Sequence, residues 1–92
     1  MRNYKIVETR GEEKSIDLRI SIGENATKGE IKEIAEYITN IEFKDKNQIL
    51  IMFFKDEEHA KRKNFKRDYR YATYYFIRKT VVGPRKDWRW DF

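Results

Sequence analysis

Apolar side chains change their period partway along this chain, and that change constrains the fold more than any other feature. Ile16, Leu18, Ile20 and Ile22 occupy alternate positions, with Asp17, Arg19 and Ser21 between them. A period of two is that of a strand with one face buried and the other wet. Gly23-Glu24-Asn25 breaks the pattern, and Ile31, Ile34, Ala35, Ile38 and Ile41 then recur at helical spacing. Lys32, Glu33, Glu36 and Asn40 fall between them, so the segment predicts an amphipathic helix over residues 28–40. Thr27-Lys28-Gly29-Glu30 matches a capping box, in which the threonine hydroxyl and the glutamate carboxylate each satisfy an orphan backbone N–H.

Other runs complete the pattern. Tyr4 to Thr9 reads as a first strand, joined to the second by a turn containing Gly11. Gln48 to Phe54 is apolar at nearly every position, as in an interior strand covered on both sides. Residues 56–68 are charged almost throughout and read as a long loop or a short exposed helical turn. Tyr69 to Val82 is rich in aromatic and β-branched residues, the composition of a strand. After Pro84, Trp88-Arg89-Trp90-Asp91-Phe92 is expected to add a short strand or to fold back over an apolar surface. The order β-β-α-β-β implies an α+β fold, a single four-stranded antiparallel-rich sheet with one helix on one face. Residues 1–92 form one domain, with 83–92 as a C-terminal tail. One helix leaves the second face of the sheet uncovered, and Leu50, Met52, Phe54, Tyr74 and Phe76 are the candidates to line it.

Several chemistries lack their residues. There is no cysteine, hence no disulfide, thiol nucleophile or thiolate metal site. His59 is the lone histidine, and beside Glu57 and Glu58 it suits a solvated charged loop better than a metal site. Ser15 and Ser21 lie in or beside a strand, away from any nucleophile-elbow setting. The glycines at 11, 23, 29 and 83 are too scattered to cradle a phosphate. A small ribonuclease using His59, a glutamate and the basic segment is the one enzyme reading that remains. The expectation is otherwise a non-enzymatic module with no cofactor and no metal. No apolar run approaches the roughly 20 residues that cross a bilayer, so no membrane partner is expected. No leader is visible at the N-terminus, and the expected location of a complete chain is the cytoplasm.

Charge placement is the positive signal. Residues 1–50 carry nine Lys/Arg against ten Asp/Glu, whereas 51–92 carry twelve against six. Such asymmetry suits an anionic partner, either nucleic acid or an acidic protein. Lys61, Arg62, Lys63, Lys66, Arg67 and Arg70 are candidates to contact phosphates. Tyr69, Tyr71 and Trp88 are candidates to stack on unpaired bases. No RNP-type sequence, Gly-x-x-Gly loop or helix-turn-helix pattern accompanies them. The same residues also suit an ordinary solvated surface, and the uncovered apolar face suits a protein partner or a homodimer.

The alternating strand Ile16–Ile22, the helix Glu30–Ile38, the run Ile49–Phe54, Tyr71-Ala72-Thr73 and the spacing from Gly83 to Trp88 carry one resemblance. On these residues the chain resembles a group of small bacterial domains with the same β-β-α-β-β layout. Those domains are often attached to lipoprotein signals or encoded near mobile elements, and no activity is assigned to them. The chain departs from that group in lacking a lipobox cysteine and in the basicity of its last hairpin. The resemblance implies the fold and leaves function open.

Overall fold

The chain runs, in a computed structural model that describes residues 2–62, 70–79 and 85–92, through five strands and two helices. These are β1 (Lys5–Gly11), β2 (Ser15–Ser21), α1 (Lys28–Tyr37), β3 (Gln48–Phe54), α2 (Glu57–Lys61), β4 (Arg70–Lys79) and β5 (Arg85–Asp91). They form a mixed sheet in the order β1-β2-β3-β4-β5. The sheet has five strands rather than the expected four; it is antiparallel-rich as expected, but one of its pairs is parallel.

The tail forms a strand of its own, because Trp88 and Trp90 alternate in register with Phe76 and Tyr74 of β4. The β2–β3 pair is parallel, while the other three pairs are antiparallel. A helix joining two neighbouring strands brings the chain back to the end where it began, which makes those strands parallel.

Gly11 makes the β1–β2 turn possible. Its φ is +149°, and an added Cβ would lie 2.2 Å from the Ser15 carbonyl oxygen. That oxygen accepts from the Glu12 N–H at 2.8 Å and closes the turn. The capping box forms as expected: Thr27 Oγ1 accepts from the Glu30 N–H at 3.1 Å, and Glu30 Oε1 accepts from the Thr27 N–H at 2.9 Å. The Thr27 N–H bond is the largest influence holding the Glu30 carboxyl below its ordinary value, and Arg2 adds to it. A depressed carboxylate stabilises the fold above its unfolded pKa, and that stability is lost as pH falls through the folded value. Urea midpoints of the wild type and Glu30→Gln are thus expected to differ at pH 7 and to converge as the pH falls through the depressed folded value of the Glu30 carboxyl.

α1 does not continue as an α-helix to residue 40. A π-helical turn, Ile38–Glu42, follows it, closed by the Phe43 N–H donating to the Ile38 carbonyl at 2.8 Å. Such a turn advances fewer degrees per residue than an α-helix. Thr39 is thereby drawn into the core-facing stripe, where it is buried and its hydroxyl donates to the Ala35 carbonyl at 2.9 Å. Ile41, expected on the buried face, swings out and is 60% exposed.

The core lies between α1 and one face of the sheet. Ile31, Ile34, Ala35 and Ile38 meet Ile16, Leu18 and Ile20 of β2, Ile49, Ile51 and Phe53 of β3, and Ala72, Tyr74 and Phe76 of β4. The apolar set expected on the opposite face is corrected by the β3–β4 register. Tyr74 pairs with Ile51 and Phe76 with Ile49, so both lie on the α1 side. Tyr75 and Ile77 join Leu50 and Met52 on the far face, where all four are half-buried. Phe54 is fully buried on that side.

Arg19, read from its alternation as a wet residue, is 4% exposed. Its guanidinium ion-pairs with Glu8 and donates to the Ala60 carbonyl at 2.8 Å and the Lys61 carbonyl at 3.4 Å. It thus satisfies the C-terminal carbonyls of α2, which is packed with β1, β2 and β3.

Candidate functional site

Alternation along β4 and β5 places Tyr74, Phe76, Trp88 and Trp90 on one sheet face. Along the flank of α1 and the π-turn that follows it, Lys32, Glu36 and Asn40 recur every fourth residue beside them. Between these residues and the rings lies a cleft of about 320 Å3, also lined by Ala35 and Thr39. Its size is at the lower end of the range for small-molecule sites.

The two tryptophans differ in role. Trp90 lies 4.3 Å from Tyr74 and 6.0 Å from Phe53 between ring centroids, and it stacks on Phe92 at 5.0 Å. It is a wall of the core. Trp88 is 64% exposed, the most exposed large apolar side chain among the described residues. Burial raises the pKa of the Tyr74 hydroxyl, and the neighbouring Glu36 carboxylate raises it further. Lys28 and Lys32 stand over the Phe92 ring at 4.9 and 5.9 Å from its centroid, and Lys32 also lines the cleft. An aromatic floor, an acceptor at Glu36 and a cation at Lys32 suit a planar, hydrogen-bonding group with a nearby negative charge.

The residues selected from sequence take different positions. Lys61 and Arg62 end α2, where Lys61 lies 3.5 Å from Glu57 and Arg62 lies 2.7 Å from Glu58. Arg70 donates to Thr73 Oγ1 at 2.9 Å and lies 3.7 Å from Asp91. The Tyr71 hydroxyl donates to the Gly23 carbonyl at 2.8 Å and accepts from the Ala26 N–H at 3.3 Å, which ties β4 to the loop before α1. Lys63, Lys66, Arg67 and Tyr69 lie outside the described residues. Trp88 pairs with Phe76, six positions along β4 from Arg70, or about 20 Å at the rise of a strand. The structure therefore does not bring Trp88 together with Arg70. It brings Trp88 together with Lys32, Glu36 and Asn40, which sequence reasoning did not select, and with Tyr74 and Phe76, which it placed on the opposite face. The four-residue spacing of Lys32, Glu36 and Asn40 was the available signal.

Part of the positive charge is structural. Arg2 donates to the Ile22 carbonyl at 2.8 Å and meets Glu30 at 3.3 Å. Arg78 donates to the Thr39 carbonyl at 2.6 Å and the Lys46 carbonyl at 3.0 Å, holding the π-turn and the loop before β3. His59 is on α2, where its N–H and Nδ1 both meet the Asp56 carboxylate, at 2.8 and 2.7 Å from Oδ1. The His59 backbone N–H is the largest of the influences lowering the Asp56 pKa. His59 does not line the cleft.

Among the described residues no group of three His, Cys, Asp or Glu side chains is placed to hold a metal ion, and no helix is long and apolar enough to cross a membrane. Comparison of the chain with protein-family models, with curated proteins and with solved structures finds no match to any of them.

Proposed function

We propose that this chain is a non-enzymatic binding module for single-stranded nucleic acid, with the cleft between α1 and β4–β5 receiving a base. The observation that carries the reading is Trp88, a largely exposed indole at the mouth of an aromatic cleft on a chain of net charge +5. A ring so placed offers a stacking platform to any base, since every base has a π-face. Glu36 accepts from an exocyclic amino group, and Lys32 neutralises an adjacent phosphate. The excess of Lys/Arg in residues 51–92 supplies the longer-range attraction.

Titration of a short single-stranded oligonucleotide, followed by tryptophan fluorescence, tests this reading. Binding is expected to weaken steeply with salt. Trp88→Ala is expected to weaken it by about tenfold or more, the loss of one stacked base, without lowering the melting temperature. Affinity indifferent to salt, or unchanged in Trp88→Ala, rejects the reading.

A further inference from the structure

Glu36 is out of place in a cleft that only stacks bases, because a carboxylate repels the phosphates on either side of each base. It lines the cleft together with Trp88, and it lies close enough to Tyr74 to raise the pKa of that hydroxyl. Its side chain is exposed. Among the described residues no ion pair engages its carboxylate, and Lys32, one turn earlier, stands over the Phe92 ring. The negative charge is thus presented to whatever enters the cleft.

The chemistry of a carboxylate limits which base that is. Both of its oxygens accept hydrogen bonds and, ionised, it donates none. The edge that suits it best therefore offers two N–H donors side by side. Guanine has such an edge, where N1–H adjoins the N2 amino group. The N6 amino group of adenine is flanked by the lone pairs of N1 and N7, and the N4 amino group of cytosine adjoins the lone pair of N3. The N3–H of thymine or uracil lies between two carbonyl oxygens. Each of these bases sets an acceptor against the carboxylate, which is repulsive and leaves one oxygen without a donor.

The same helix separates the base from its phosphate. Lys28, Lys32 and Glu36 follow at intervals of four residues along α1, about 6 Å each at the rise of an α-helix. Both lysines converge on the Phe92 ring, at 4.9 and 5.9 Å from its centroid. Two cations therefore gather one and two turns from the carboxylate, toward the positive end of the helix dipole.

We infer that the cleft selects guanine. The Glu36 carboxylate accepts from N1–H and the N2 amino group of a base stacked on Trp88, and Lys28 and Lys32 hold the adjoining phosphate. Glu36 is then the specificity-determining residue of the site, an assignment that rests on the nucleic-acid reading above.

Short thymidine oligonucleotides carrying one central guanine, hypoxanthine, adenine or cytosine, titrated against the full chain by tryptophan fluorescence, test it. The guanine oligonucleotide is expected to bind about tenfold more tightly than those with adenine or cytosine. Hypoxanthine lacks only the N2 amino group, and its oligonucleotide is expected to bind about fivefold more weakly than that of guanine. Glu36→Ala is expected to bring guanine down to the level of the other bases. The same substitution leaves the affinity for adenine and cytosine unchanged, or raises it by relieving repulsion of the phosphates. A loss confined to guanine cannot come from misfolding. Equal affinity for all four, still salt-dependent and still weakened by Trp88→Ala, overturns the guanine assignment and leaves the nucleic-acid reading standing. So does a guanine preference that survives Glu36→Ala, or one that hypoxanthine satisfies equally well. A chain that binds none of the four overturns both.

Discussion

Trp90→Ala is expected to destabilise the protein by about 3 kcal/mol and to lower its melting temperature by more than about 10 °C. The side chain lies against Tyr74, Phe53 and Phe92, so its removal both loses burial and opens a cavity that three rigid rings cannot fill. β5 is held to the sheet chiefly through β4, and Trp90 is the residue of β5 that reaches the β3 core. Amide hydrogen exchange is expected to quicken first in β5 and the adjoining part of β4. The neighbouring substitution Trp88→Ala is the control, because Trp88 is mostly in solvent. It is expected to leave the melting temperature of the monomer nearly unchanged, even though the two tryptophans are separated by one residue. Equal destabilisation by both substitutions would contradict the division of the tail into a core wall and an exposed platform.

Arg19→Met is expected to cost about 2–3 kcal/mol, with the damage concentrated in α2. Methionine keeps much of the buried aliphatic volume, so the loss isolates the guanidinium. That group serves Glu8 on β1 and the carbonyls of Ala60 and Lys61 at the end of α2. A helix of five residues has no stability of its own in water and depends on such tertiary contacts. Without them two carbonyls, one of them on the fully buried Ala60, lose their donor. The measurement is denaturant unfolding combined with hydrogen exchange. Protection is expected to vanish in α2 and to persist in α1, whose capping box and buried stripe are untouched. Loss of protection spread evenly over both helices would show that Arg19 acts only through global stability.

Much of the local structure was legible before any tertiary contact was known. The run Gln48–Phe54 is β3 to the residue, and Thr27 and Glu30 form the capping box that their spacing requires. The alternation of Ile16, Leu18 and Ile20 is the buried face of β2. These features depend on neighbours one to four residues apart, and that information is present in the order of the residues. The candidate site was less legible. Tyr71, chosen as a stacking ring, has its hydroxyl engaged by the loop before α1, 45 to 48 residues away in sequence. Lys61 and Arg62, chosen for phosphates, lie beside Glu57 and Glu58 of their own short helix.

By itself the sequence determined where β2, β3 and β4 and the start of the main helix form, which face of β2 is apolar, and that positive charge is gathered toward the C-terminus. Tertiary structure alone decided the strand order, the parallel β2–β3 pair and the β3–β4 register that sends Tyr74 to the core and Tyr75 to the far face. It also decided that Thr39 turns inward while Ile41 turns outward, and that Arg19 is buried rather than wet. The physical reason is common to these cases. Periodicity reports which side of an element is apolar, but the partner that covers it, and the carbonyls a long arginine side chain can reach, depend on segments distant in the chain.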